Sequence, residues 1–226
     1  MKKIIAVFIV LISVFCLFSF AGCKSGETSF LTNYVSELRN DIFEGTGANY
    51  EITAYGGFRE APYLLDGKKG KTVNYFLISI KTVNPVTSDI SYEAKISGKT
   101  YTGKFAPHAF KDIYVADLRL DKVSDKTFTV KITGGETEET VTMASVIKNN
   151  IISHSEALLI AENELKDTIN RIKKGNELNA EVLVRLNKEN DKLMYYVAIV
   201  SSETKTSAVL IDAENKQIMA KKEVYF

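Results

Sequence analysis

Apolar and polar residues follow different spacings in successive parts of this 226-residue chain. Residues 4–20 are almost continuously apolar and follow two lysines, which is the pattern of a secretory signal segment. In residues 29–43 the apolar positions recur three or four apart, which predicts a first helix that ends near Gly45 and Gly47. The apolar residues on this stripe are Phe30, Leu31, Tyr34, Val35, Leu38 and Ile42.

Between residues 49 and 145 apolar positions alternate with polar ones, which predicts β-strands. The predicted strands are 50–55, 73–83, 90–96, 99–105, 113–120, 127–133 and 138–143. Glycine and proline pairs predict turns between strands, at Gly56-Gly57, Asn84-Pro85, Ser97-Gly98 and Gly134-Gly135. Short strands at near-regular spacing predict an antiparallel β-sandwich, Ig-like in outline, so residues 29–146 are expected to form a helix plus a sandwich.

The last part of the chain, residues 151–226, shows the pattern of a helix followed by four strands. Ser153 with Glu156 three residues later is a capping box, and the helical spacing continues to residues 173–174, before Gly175. The strands are predicted at 180–186, 193–200, 207–212 and 217–224, as a meander that one helix can cover. The predicted fold class is therefore α+β: an antiparallel sandwich followed by a small helix-plus-four-stranded antiparallel sheet.

Composition and motifs argue against catalysis and against nucleic acid as a partner. The 29 basic and 28 acidic residues leave a formal net charge of +1, which is too small to steer a polyanion. The two histidines, His108 and His154, stand in no metal-ligand spacing. The chain has no Gly-x-Ser-x-Gly elbow and no phosphate-binding glycine loop. We therefore predict a non-enzymatic protein without a metal or a cofactor.

The run Ser19-Phe20-Ala21-Gly22-Cys23 directly follows the apolar segment. It resembles the lipobox of bacterial lipoproteins, and this resemblance implies a signal peptide at 1–22 and a diacylglycerol on Cys23. The polar stretch 23–28 would then be a lipidated tether, with the folded body on the extracytoplasmic face of the cell membrane. Cleavage would leave Cys23 as the sole cysteine, which excludes an intramolecular disulfide. An ordinary cleaved signal and an uncleaved membrane anchor are the alternatives.

Residues from Ile152 to the C-terminus resemble a PepSY domain. The opening motif Ile-Ser-x-x-Glu-Ala of that family is matched at 152–157, its Tyr-x-Val strand at 195–199, and its closing Ile-Asp turn at 211–218. PepSY domains occur in propeptides of secreted metallopeptidases and in cell-surface proteins. The resemblance therefore implies that this module binds and restrains a cell-envelope or secreted peptidase. The matched residues also suit purely structural roles as a helix cap, a packed ring and a turn former.

The segment 55–63 is the predicted binding surface, because it combines glycine, aromatic rings and arginine in a predicted loop. Its candidate binding residues are Tyr55, Phe58, Arg59 and Tyr63. The alternative is that these aromatic residues pack back onto the sandwich and cover its edge. We thus predict a non-enzymatic lipoprotein that binds a peptidase, with a structural or ligand-binding envelope lipoprotein without a peptidase link as the alternative.

Overall fold

Residues 28–84, 89–120, 123–135 and 137–223 are described in the computed structural model. The predicted signal segment, Cys23 and almost all of the tether lie outside these ranges. A 3₁₀ helix (Phe30–Tyr34) and two α-helices, α1 (His154–Glu164) and α2 (Lys166–Ile172), accompany a mostly antiparallel set of strands. The strands are β1 (Val35–Thr46), β2 (Tyr50–Glu60), β3 (Thr72–Thr82), β4 (Ile90–Ile96), β5 (Lys99–Lys104), β6 (Ala106–Pro107), β7 (Tyr114–Leu118), β8 (Thr127–Gly134), β9 (Thr137–Ser145), β10 (Lys173–Lys174), β11 (Glu177–Leu178), β12 (Ala180–Glu189), β13 (Lys192–Ser201), β14 (Thr206–Asp212) and β15 (Ile218–Lys222).

The helix predicted over 29–43 is wrong, because only a short 3₁₀ helix forms there and the rest of the segment belongs to β1. The pairing register of β1 shifts twice, between Val35 and Glu37 against β12 and between Arg39 and Asp41 against β2. Each shift moves the following side chains to the other face of the sheet. Apolar positions of β1 therefore stand three or four apart, which imitates the period of a helix.

Gly56-Gly57 is not a turn, contrary to the sequence prediction. β2 continues through both glycines and pairs with β1 on one side and with β3 on the other. The glycines lie opposite the second register shift of β1, where the two backbones come close together. A Cβ on Gly57 would overlap with the carbonyl oxygen of Leu38. The glycines therefore permit a close approach of two strands and do not reverse the chain.

The first part of the chain forms two layers of antiparallel strands, in agreement with a sandwich-like fold. β1, β2, β3 and β7 make one layer, and β9, β8, β4 and β5 make the other. Phe43, Phe76 and Phe128 meet in the core between the layers, with ring centroids 5.1 to 5.9 Å apart. The predicted hairpin turn at Ser97-Gly98 is confirmed, since both residues adopt positive φ between β4 and β5.

The C-terminal strands form the predicted meander of β12, β13, β14 and β15, and the two α-helices pack against its apolar face. α1 begins with the predicted capping box, in which Ser153 Oγ accepts the N–H of Glu156 and the Glu156 carboxylate accepts the N–H of Ser153. The helical stretch is interrupted at Leu165 and ends earlier than predicted. Lys173–Lys174 forms β10 of a short hairpin, whose turn contains Gly175 at a φ of 62°.

β1 belongs to both parts of the structure. Its first half pairs in parallel with β12, whereas its second half pairs with β9 of the sandwich. Ile42 packs in the core beneath the helices, and the next residue, Phe43, packs in the sandwich core. The two parts of the described chain therefore share one strand and are connected through a single network of paired strands.

Candidate binding groove

One face of the connected sheet collects arginine and tyrosine side chains. Alternate residues of a strand point to the same face, so positions 55, 57 and 59 of β2 share one face. The register extends this face across the sheet, because Gly57 pairs with Arg39 of β1 and with Tyr75 of β3. Arg39 in turn pairs with Arg185 of β12. Residues distant in sequence are thus brought side by side.

These side chains line a groove made of three adjoining hollows of about 270, 260 and 380 Å³. Arg59 and Tyr75 line both the first and the second hollow, whereas Arg39 and Tyr55 line both the second and the third. The groove follows β2 over residues 51–60, which corresponds to about 30 Å at roughly 3.3 Å per residue. Its length is suited to an extended segment and exceeds what a small molecule needs.

The second hollow, which is the central one, contains a hydrogen-bonded cluster of Arg185, Glu37 and Tyr63. Arg185 donates from Nε and Nη2 to the two carboxylate oxygens of Glu37 at 2.9 and 2.7 Å. The Tyr63 hydroxyl donates to Glu37 at 2.8 Å and accepts from Arg185 at 2.8 Å. Burial alone would lower the pKa of Arg185, but the hydrogen bonds and charge of Glu37 raise it. Burial, followed by the charge of Glu37, raises the pKa of Tyr63 to about 12, so its hydroxyl stays protonated.

Arg59 is held between an aromatic ring and a carboxylate. Its guanidinium lies 4.8 Å from the centroid of the Tyr75 ring and pairs with Asp117 of β7. Burial, followed by the charge of Glu37, raises the pKa of Tyr75 to about 12. Arg59 is therefore both stacked and neutralised, and Tyr75 remains a neutral phenol.

Arg39 occupies the centre of the groove with different partners. Its guanidinium lies 4.7 Å from the centroid of the Tyr55 ring. Nε donates to the carbonyl oxygen of Leu186 at 3.1 Å, and Nη2 donates to the side-chain oxygen of Asn187. No carboxylate within the described ranges forms an ion pair with Arg39. The position of Arg39 is thus fixed by neutral groups.

Residues 61–71, here called the wall, follow β2 at one end of the groove. The first three of them line the groove, and buried carboxylates hold the rest of the segment. Glu181 accepts the N–H of Gly67 at 3.0 Å, and Glu60 accepts the N–H of Gly70. Burial, followed by the charges of neighbouring carboxylates, raises the pKa of Glu60. The conformation of this wall therefore depends on two glutamates that are almost inaccessible to water.

Three of the four predicted binding residues, Tyr55, Arg59 and Tyr63, lie together in the groove. The fourth, Phe58, lies on the opposite face of β2. Phe58 and Tyr55 both pack against the core beneath the helices. The segment is not the predicted loop, because its first part lies in β2 and only Tyr63 lies beyond the end of that strand. The alternating faces of β2 explain why Phe58 is separated from the other three.

The sequence patterns do not single out Arg39, Tyr75 or Arg185, which complete the groove. A regular alternation continued through Gly56-Gly57 would have placed positions 55, 57 and 59 on one face. No local pattern aligns Arg185 with Arg39, because their parallel pairing joins strands from opposite ends of the chain. These residues could be found only from the tertiary structure.

The groove offers hydrogen-bond donors and stacked guanidinium groups. Two of its carboxylates, Glu37 in the second hollow and Asp117 in the first, each bind an arginine. Of the three hollows, His108 lines only the third, and its Nδ1 accepts the N–H of Phe110. No group of three or more potential metal ligands occurs among the residues that the structure describes. The arrangement is suited to holding a polar partner.

Comparison of the chain with protein-family models, with curated proteins and with solved structures finds no match. Within the described ranges, none of the helices combines the length and the apolar character needed to cross a membrane. The groove and the sequence motifs are therefore the basis for assigning a function.

Proposed function

We propose that this protein is a non-enzymatic binding protein of the cell envelope, attached to the extracytoplasmic face of the membrane by a diacylglycerol on Cys23. The groove is its binding surface. The partner is an extracytoplasmic protein, and a secreted or surface peptidase is the favoured one. Binding acts by occluding a surface of that partner, and no covalent bond is made or broken.

The convergence of three arginines and three tyrosines in one groove carries this proposal. These residue types dominate the energetics of many protein interfaces, because they combine a large contact area with hydrogen-bond donors. Stacking and internal hydrogen bonds already restrain Arg39, Arg59 and Arg185. Little side-chain freedom is therefore lost when a partner binds.

The peptidase partner rests on the resemblance of the C-terminal segment to PepSY domains. We propose that residues 151–226 are a PepSY-like module and that the layers before it are Ig-like. The order of helix and four-stranded meander supports the first assignment. Arg185 comes from this segment and lines the groove, which links the module to partner binding.

A pull-down from solubilised membranes tests the groove, with the chain lacking residues 1–23 as bait. This truncation removes none of the described residues. Leu77 lines two hollows of the groove, so Leu77→Trp fills it, whereas Asn163→Trp adds the same ring at an exposed position of α1. We expect wild type and N163W to recover one extracytoplasmic protein, and L77W to recover about tenfold less. Full recovery by a folded L77W protein contradicts the proposal.

Metabolic labelling with palmitate tests the anchor separately. We expect the wild-type protein and the Cys16→Ala variant to incorporate the label, because Cys16 lies within the predicted signal segment. Cys23→Ala removes the proposed acylation site and should abolish labelling. A C23A protein that is still bound to the membrane at its wild-type size would overturn the anchoring proposal.

A further inference from the structure

The centre of the groove carries an imbalance of charge. Among the residues that the structure describes, three arginines line the second, central hollow, but Glu37 is the single carboxylate that lines it. Arg185 is neutralised by Glu37. Arg59 is neutralised by Asp117, which lines the first hollow. Arg39 has no such partner among the described residues. Within the described ranges, one positive charge at the centre of the groove is therefore left without an ion pair.

Arg39 is nevertheless held in position by several contacts. The Tyr55 ring supports the face of the guanidinium, and the groups of Leu186 and Asn187 accept hydrogen bonds from two of its nitrogens. A guanidinium has five N–H donors, so these contacts leave part of the planar fork available to a ligand. Arg39 lines both the central and the third hollow, so a ligand in either one can reach it.

A partly buried guanidinium without an opposite charge costs free energy, because it loses water and gains no ion pair in return. An anionic group on a ligand would remove this cost. The planar fork of arginine matches the two oxygens of a carboxylate, which makes a bidentate pair stronger and more directional than a single hydrogen bond. The chemistry at Arg39 thus favours a carboxylate.

The groove favours an extended peptide over a polysaccharide as the carrier of that carboxylate. A length of about 30 Å corresponds to about nine residues of extended chain. The rings of Tyr55 and Tyr75 do not form open platforms for stacking sugars, because Arg39 and Arg59 lie over them and Tyr75 is only 6% exposed. Tyr63 is 44% exposed, but a single open ring does not make a row of stacking platforms. The groove instead presents guanidinium and hydroxyl groups, which suit carboxylate and backbone carbonyl acceptors.

We propose that the groove binds an extended acidic segment of the protein partner, with one Asp or Glu carboxylate of that segment paired to Arg39. This inference deepens the proposed function and rests on it for the location of the binding surface. It specifies what the partner must contain: an extended stretch of about nine residues with an acidic side chain near its middle.

Fluorescence anisotropy on the chain lacking residues 1–23 tests this assignment. The probes are a labelled decapeptide of alternating serine and glutamate, its serine–glutamine counterpart, and a labelled heparin oligosaccharide. We expect the glutamate peptide to bind at low salt and the glutamine peptide to bind about tenfold more weakly. Failure of the glutamate peptide to bind, or tighter binding of the heparin oligosaccharide, overturns the proposal.

Variants of Arg39 separate a specific pair from a general effect of charge. Arg39→Gln should weaken the glutamate peptide by about tenfold, and Arg39→Lys should restore only part of the affinity, because lysine keeps the charge but loses the fork. Arg171→Gln removes the same charge from α2, outside the groove, and should bind like wild type. Equal effects of R39Q and R171Q overturn the proposal. A partner lost with L77W but retained with R39Q overturns this inference and leaves the proposed function standing.

Discussion

At the residue scale, the groove is held together by carboxylates that are fixed in two different ways. Glu37 and Asp117 bind arginines of the groove, whereas Glu60 and Glu181 accept backbone N–H groups of the wall at 61–71. For Glu60, burial and the charges of Glu181 and Asp66 raise the pKa, and the hydrogen bond from Gly70 and the charge of Lys69 oppose this only in part. The ionisation of Glu60 is therefore expected to oppose the stability of the fold.

The substitution Glu60→Gln tests this expectation through its dependence on pH. The pKa of Glu60 is raised in the folded protein, so its contribution to stability is present below about pH 4.5 and is lost as the pH rises through the raised value. Glutamine keeps an acceptor for Gly70. In urea unfolding, we expect E60Q to match wild type below about pH 4 and to gain up to about 1 kcal/mol at about pH 7.

The exposed residue Glu51 provides the control for this experiment. Glu51→Gln should give a difference in unfolding free energy within about 0.5 kcal/mol of wild type at both pH values. An E60Q protein that is less stable than wild type at neutral pH would show that the ionised carboxylate stabilises the wall.

At the element scale, β1 explains where prediction from the sequence succeeds and where it stops. Regular alternation and turn residues predict β3, β4, β8 and the C-terminal meander within a few residues, because these signals are local. The register shifts of β1 depend on its partners β2 and β12, so its spacing predicts a helix instead. The residues of the groove divide in the same way. Tyr55, Arg59 and Tyr63 lie in one segment of the sequence, whereas Arg39 and Arg185 are brought into the groove by strand pairing.

The close approach of β1 and β2 predicts a large effect of Gly57→Ala. The added methyl group would overlap with the carbonyl oxygen of Leu38, so the strands must separate or change register. We expect a loss of about 2 to 4 kcal/mol in the free energy of unfolding, measured with urea. In Gly70→Ala, the added methyl group lies 3.5 Å from Glu60, an ordinary contact, and the change should stay below about 1 kcal/mol. Equal stabilities of the two variants would contradict this pairing of β1 and β2.

At the scale of the whole molecule, β1 couples two apolar cores. Ile42 lies in the core beneath the helices and Phe43 lies in the sandwich core, each at most 2% exposed. A strand shared in this way cannot leave one core without disturbing the other. We therefore expect the two parts of the chain to unfold together.

Large-to-small substitutions at these neighbouring positions test the coupling. Ile42→Ala and Phe43→Ala should each cost about 2 to 5 kcal/mol, because both leave a cavity in a packed core. In thermal unfolding, both variants should lower one common transition. Val83→Ala, at a residue that is 59% exposed, should leave that transition within a few degrees of wild type. Two separate transitions, each shifted by only one of the variants, would show that the parts are independent.

Photo-crosslinking in intact cells tests most directly whether an extracytoplasmic protein occupies the groove. Lys111, an exposed residue that lines the third hollow, and Asn163 on the exposed side of α1 are replaced in turn by benzoylphenylalanine in the full chain. We predict a crosslink to one extracytoplasmic protein from position 111, none from position 163, and a reduction of about tenfold when Arg39→Gln is added. A crosslink from position 163 without one from position 111 would contradict the groove as the binding surface.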